Sequence, residues 1–532
     1  MQPRNAMRNR RLTPINADAK RWFELRRGVI LGLVHPHLMA VLVLAIALIV
    51  LSPVSVGDSF EVREERLGRV HDKRPSETNS ADGLRLAYIA TDEEQVRLVV
   101  NTKPGPAFDA VHPDSLVFSP DGSHLAYYAK KEGKWFAVLD DEAGKEFDGI
   151  SGNVPTFSPD GKRLAFEAVR EGRRYAVVDS VLTQAADGIM HESLAFSPDS
   201  KRVGFAVRDG DKWRVVVDGT AGEAFDSLLL GSPIFSPDSR HVVYGALKND
   251  KWMVVLDGKS GTAWDDVRQG SIGFSPDGSR MAYAACKRGR WFYVLDGEAG
   301  PEFDNVAVGG SLFTPDGKHL VYGARHEGRE WLVLDGKPVA QDDMVSPAVF
   351  SPDGSHMAYA RKNKAEDYVV FDEESQGPFD GIGDIISLTP SGRIAYAAMV
   401  GKKWHAVVDG KAGPGFDGIV RGTPVFSPDE KHVVYVARKQ QDVIVIADGM
   451  PCGNPYDAVG SSGIQFSADS RHIAFAAMKG KKWLVVVDGE ESPQYDWIVK
   501  CPSFSGRKLE FLGARDGFLY RTQLAVGAAD GL

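Results

Sequence analysis

The residues of this 532-residue chain best equipped for chemistry are histidines and aspartates, and both recur at set intervals. His124, His241, His319, His356, His432 and His472 occupy equivalent points of a repeat, and Arg85, Arg163, Arg202 and Arg280 hold that point in other copies. A zinc site needs ligands that converge. One cation at the start of one strand per copy spreads them apart, so a solvated structural role is expected, with no metal and no cofactor. The aspartates, in Ser-Pro-Asp, Asp-Gly and Phe-Asp settings, could suggest calcium, yet Asp in a turn caps its own backbone, and that role is expected here. Trp135, Trp213, Trp252, Trp291, Trp331, Trp404 and Trp483 fall on one strand of the repeat. Packing between repeats is expected of them, ahead of a sugar-binding platform, because large aromatics dominate core energetics. Cys286, Cys452 and Cys501 are too few and too scattered for a zinc site or a disulfide framework. No G-x-S-x-G elbow, H-E-x-x-H helix, P-loop or EF-hand string occurs.

The elements that must position these residues are written into the repeat itself. Phe118-Ser119-Pro120-Asp121-Gly122 returns with its opening residue at Phe157, Phe196, Phe235, Phe274, Phe313, Phe350, Leu388, Phe426, Phe466 and Phe504. A degenerate copy at Asn79-Ser80-Ala81-Asp82-Gly83 makes twelve units. A constant period of this size marks stacked supersecondary units. In one unit, Leu116-Val117-Phe118 is a first strand and Ser119-Pro120-Asp121-Gly122 a type I turn. The half-buried strand His124-Leu125-Ala126-Tyr127-Tyr128 follows, then a polar turn and the strand Trp135-Phe136-Ala137-Val138-Leu139. Asp-Gly, as at Asp218-Gly219 and Asp257-Gly258, signals a tight turn into a fourth strand that ends in Phe-Asp. Four antiparallel strands per unit with almost no insertion describe the blades of an all-β propeller, with a β-solenoid as the competing repeat fold.

The S-P-D-G-x-x-[IL]-[AV]-[FY] string resembles that of the TolB-type, WD40-like family of bacterial propellers over roughly residues 79–520. The resemblance implies the propeller fold, and members of such families serve as envelope scaffolds, gating domains of peptidases or stand-alone modules. TolB carries an α/β domain before its propeller, where this chain has an apolar segment and a short linker.

Single rings usually hold four to eight blades, so two six-bladed propellers in tandem are expected, at 79–312 and 313–524, with a seven-plus-five split or one large ring as alternatives. Unit spacing shortens after Phe313 and unit seven lacks Phe-Asp, reading Val339-Ala340-Gln341-Asp342-Asp343. The last unit has strands only to about Thr522, so closure is expected to borrow a strand from elsewhere in the chain.

Residues 28–56 hold an apolar run long enough to span a bilayer, behind a basic tail at 1–27 that predicts a cytoplasmic N-terminus. A signal anchor is the preferred reading and a cleaved signal peptide the alternative. Both export the repeats, which predicts a single-pass protein of the bacterial cytoplasmic membrane with its propellers on the periplasmic side. Residues 57–78 read as a linker and 525–532 as a tail. The net charge of -9 conceals a basic leader and an acidic body, which argues against a nucleic-acid partner.

Repeats that agree build the fold, so positions that differ are the candidates for recognition. The connection before each first strand varies most, and it holds His112, Asn153, His191, Glu192, Arg268, Gln269, Asp384, Arg421 and Lys500. These would ring one mouth of the channel as a binding surface. A membrane-anchored, non-enzymatic scaffold for a protein or cell-envelope partner is the expectation. The alternative is a hydrolase- or lyase-like enzyme, or a small-ligand sensor, using a site at the channel mouth. The sequence indicates no oligomeric state.

Overall fold

The structure, a computed structural model, describes residues 54–55, 60–69, 77–80 and 85–526, apart from breaks at 93–94, 102, 308–311, 364–365, 461–462 and 507. The basic tail and nearly all of the apolar segment lie outside the described residues. No helix among the described residues is long and apolar enough to cross a membrane.

Among the described residues the chain forms twelve antiparallel sheets, the blades of one propeller ring. In order they span residues 77–108, 110–147, 149–182, 188–221, 227–260, 266–299, 305–342, 344–379, 381–412, 418–451, 458–491 and 497–526. In blade 2, Val117–Phe118 pairs with Leu125–Lys131, which pairs with Lys134–Leu139, and that with Glu142–Phe147. The Asp-Gly turns use the left-handed region at both central residues, φ 51° at Asp218 and 79° at Gly219. That is the geometry matching the right-handed twist of paired strands, and it is the reason glycine stands second.

Twelve apolar clusters hold the ring, one at each junction between successive blades. Ala284 and Tyr293 of blade 6 pack with Tyr322 and Val333 of blade 7. The core is therefore continuous where a division into two rings was expected, and the one-ring alternative describes the packing. Closure lies elsewhere: Leu512 and Leu519 of blade 12 pack with Leu67 and with Leu86 of blade 1. Arg521 Nη2 donates across the same junction to Asn101 Oδ1 at 3.2 Å.

The borrowed strand comes from the stretch read as a linker. Phe60–Arg69 pairs antiparallel with Phe518–Val526 and supplies the fourth strand of blade 12. Its mixed charges hid Val62 and Leu67, which are buried on opposite faces, toward blades 11 and 1. Glu64 faces inward to accept from Tyr495 Oη at 2.5 Å and to pair with Arg515 at 3.0 Å, so a charged residue sits on the packed face with both its oxygens satisfied.

Candidate functional site

The recurring polar residues are consumed by the blades themselves. His124 Nδ1 lies 2.5 Å from Asp140 Oδ2, and the same His–Asp pair recurs at 241–257, 319–335, 356–372, 432–448 and 472–488. The histidines expected to be solvated are thus partnered, and His472 is 7% exposed. Where arginine replaces histidine it reaches further: Arg163 Nε binds Asp179 at 2.9 Å, while its Nη1 donates to the Lys201 carbonyl of the next blade at 2.8 Å.

The aspartate after Phe clips neighbouring blades. Asp148 accepts from Lys134 Nζ of blade 2 at 2.6 Å and from the Glu171 amide of blade 3 at 2.7 Å. Both bonds favour its charged form, the lysine's most, and hold its carboxyl below the usual range. In the Ser-Pro-Asp turn, Ser119 Oγ donates to Asp121 Oδ1 and accepts the His124 amide at 2.9 Å. No group of three or more His, Cys, Asp or Glu side chains among the described residues is arranged to hold a metal ion. Cys286, Cys452 and Cys501 are free thiols.

The variable residues sit elsewhere than the sequence placed them. In blades 2, 4, 5, 6, 8, 10 and 11 the first strand is interrupted halfway: in blade 5, Ser227–Leu228 pairs with Ala246 and Leu247 and Ile234–Phe235 pairs with Val242 and Val243, with five residues looping out between. First strands of successive blades touch one another, as Ala195–Phe196 does Ile234–Phe235, so they form the inner edge of the ring. The excursions therefore stand partway up the inner wall, not at a mouth. A hydroxyl anchors several of them: Ser193 Oγ donates to the Met190 carbonyl at 2.7 Å and accepts the Ala206 amide at 3.1 Å. Ser115, Ser271 and Thr423 repeat this in blades 2, 6 and 10.

Of the nine predicted residues, the structure joins only some. Arg421 Nε of blade 10 meets Asp384 Oδ2 of blade 9 at 2.6 Å, both exposed. Exposed His191 and Glu192 lie 3.7 Å apart on one excursion. Arg268 stacks on Trp291 at 4.0 Å and donates to the Val306 carbonyl and Asn305 Oδ1, and Gln269 bonds both backbone atoms of Leu230. These two serve packing between blades. His112 stacks loosely beside Trp135 at 6.4 Å. Asn153 lies in Gly149–Phe157, whose register shifts between Ser151 and Thr156, and Lys500 lies in Trp497–Ser505 at a register shift. Sheets packed about 10 Å apart, with strands about 4.8 Å apart within each, leave a ring of twelve an inner opening on the order of 20 Å. Residues on opposite walls cannot meet across it.

Six blades share an aromatic pair between third and fourth strands, and blade 3 is among those that depart from it. In blades 2, 4, 5, 6, 9 and 11 the third strand places Trp135, Trp213, Trp252, Trp291, Trp404 and Trp483 opposite an aromatic residue of the fourth. Blade 3 has Arg174 in that place, bridged to Ala186. With both aromatics missing, a cleft opens toward blade 4, and Glu167 fills a position that is Ala206 or Gly245 in the next two blades. Glu167, its side chain 13% exposed, pairs with Arg174 Nη1. Trp331 also departs from its group: it lies one residue out of register, opposite Ala324, and packs with Phe303 toward blade 6, while Glu330 takes the tryptophan position.

No protein-family model matches the chain, and no curated protein matches it in sequence. Among solved structures it is similar to a eukaryotic initiation factor at 13% identity, over 71% of this chain and 97% of that one, with a TM-score of 0.32. It is similar to TolB from Acinetobacter baumannii at 19% identity, over 40% of this chain and 62% of TolB, with a TM-score of 0.23. The Dos1 propeller aligns at 12% identity over 57% and 91%, with a TM-score of 0.27. These likenesses concern the fold alone.

Proposed function

We propose that this chain is an exported binding scaffold, tethered through its N-terminal apolar segment, that holds a protein or cell-envelope partner against the inner wall of the ring. One observation carries the reading. The polar side chains common to the blades bond to one another and to backbone, while the inner-edge excursions differ in charge and size from blade to blade. Val154, Leu230 and Ile385 are exposed on them, at 43%, 66% and 37%, beside His191, Glu192 and the Asp384–Arg421 pair. Apolar anchors among charged neighbours suit a protein surface, and an opening on the order of 20 Å admits a partner's loop or helix.

The test is co-purification from crosslinked membranes with the full chain and with the variant Leu230→Asp, Ile385→Asp. Expected is an envelope protein recovered with the native chain and lost with the variant. Recovery unchanged by the variant, or nothing above background with either chain, overturns the reading.

A further inference from the structure

A cavity that runs from blade 2 past the inner part of blade 3 to the first strand of blade 4 contains a hydroxyl with no use among the described residues. Tyr128, in the second strand of blade 2 and packed against Phe166 of blade 3, is 1% exposed, and its Oη has no hydrogen-bond partner among the described residues. A buried hydroxyl without a partner costs about 1–3 kcal/mol, and mixed polar cavities of this kind are where ligands bind. Tyr128 lines a cavity of about 200 Å3 together with Val154, Phe166, Glu167, Met190 and Leu194. That is on the order of seven water volumes, room for a compact organic molecule.

Glu167, Ile189 and His191 also border an open depression beyond, which adds Arg174, Arg208 and Asp187. The cavity thus has an apolar end at Val154, Met190 and Leu194, a carboxylate at its boundary and two guanidinium groups on the open side. The junction that follows shows what the absence of a site looks like. There Ala206, Trp213 and Phe225 pack with Tyr244 in a filled core.

We infer that this cavity, bordered by blades 2, 3 and 4, binds a free amino acid with an apolar side chain. Its side chain lies against Val154, Met190 and Leu194. Its ammonium sits between the Glu167 carboxylate and the Tyr128 hydroxyl, and its carboxylate meets Arg174 and Arg208, the residue type suited to planar, bidentate capture. This site shares Val154, His191 and Glu192 with the surface of the partner-binding reading but needs no macromolecule, and neither Leu230 nor Ile385 lines it, so the two readings can fail separately.

Calorimetric titration of the full chain in detergent micelles with L-leucine and L-phenylalanine tests it. Expected is saturable binding of at least one of the two. N-acetyl-leucine and leucinamide, each lacking one charge, should bind at least about tenfold more weakly, the scale of a lost charged hydrogen bond. Tyr128→Phe keeps the ring and its packing and should weaken binding about tenfold. Glu167→Ala with Arg174→Trp rebuilds blade 3 in the form of blade 4 and should abolish binding, while circular dichroism stays native. No heat with either amino acid, capped derivatives binding as well as the free ones, or Tyr128→Phe binding like the native chain would each overturn the inference.

Discussion

Blades 3 and 4 are built on one plan and differ on the face each turns to its successor. Both close a Ser-Pro-Asp turn with a buried serine, and both pair Arg and Asp at the strand start, Arg163 with Asp179 and Arg202 with Asp218. Both clip the next blade through an aspartate, Asp187 to the Gly210 amide and Asp226 to the Asn249 amide. Yet blade 4 fills its outgoing junction with Trp213 and Phe225, and blade 3 puts Arg174, Ala186 and Glu167 there. The scaffold bonds lie along the turn-bearing ends of the strands, so the middle of a junction can be emptied of aromatics and the ring still closes. A repeat protein can therefore develop a site at one interface and keep the rest unchanged.

The contrast can be pressed from both sides. Arg174→Ala should cost the most, about 2–3 kcal/mol, because it leaves Glu167 buried without its partner; the part-exposed guanidinium keeps the loss below that of a fully buried pair, and the denaturant midpoint reads it. Trp213→Ala in blade 4 should cost about 2 kcal/mol, less than a fully buried tryptophan because Trp213 is only partly buried. The paired change Glu167→Ala, Arg174→Trp should raise the midpoint by about 1 kcal/mol, since packed apolar groups commonly match or exceed a buried ion pair.

The smallest effect is in acid. Bonds from Lys212, then from the Asn249 amide, hold the Asp226 carboxyl below its usual range. A depressed carboxylate stabilises the fold above its unfolded value of about 3.9 and loses that contribution as pH falls through the folded value. The native chain should thus lose thermal stability below about pH 4. Asp226→Asn should reduce the acid-dependent part of that loss and leave the slope between neutral pH and pH 5 unchanged.

Much of the fold was legible because period, turn chemistry and strand alternation agree at every copy. Phe118 through Phe504 counted the blades, and Asp-Gly located the tight turns. The borrowed strand was anticipated but its source was not, since Phe60–Arg69 carries too many charges to read as a strand without its partner Phe518–Val526 in view. The candidate site was partly legible. His191 and Glu192 stood out as variable, but Arg174 and Ala186 mark the cleft more directly, since the tryptophan and the Phe of Phe-Asp are both missing there, as they are at Glu330 and Asp342 of blade 7. Aligning the copies column by column would have exposed them. The same alignment marks Tyr128, since its column holds Glu167, Ala206, Gly245 and Ala284 in the next four blades, but that its hydroxyl is buried beside Glu167 depends on the neighbouring blade.

Sequence alone determined the blade and the count of twelve, since these depend on contacts within about forty residues of chain. Tertiary structure decided how many rings the blades form. That depends on whether blade 12 meets blade 1 or blade 7, and Leu67, Leu86, Leu512 and Leu519 meet only when the two ends of the chain come together. It also decided that Glu167 is turned into a cavity and paired there with the part-exposed Arg174. A strand's alternation says only which of two faces a residue takes. What stands opposite that face belongs to the neighbouring blade.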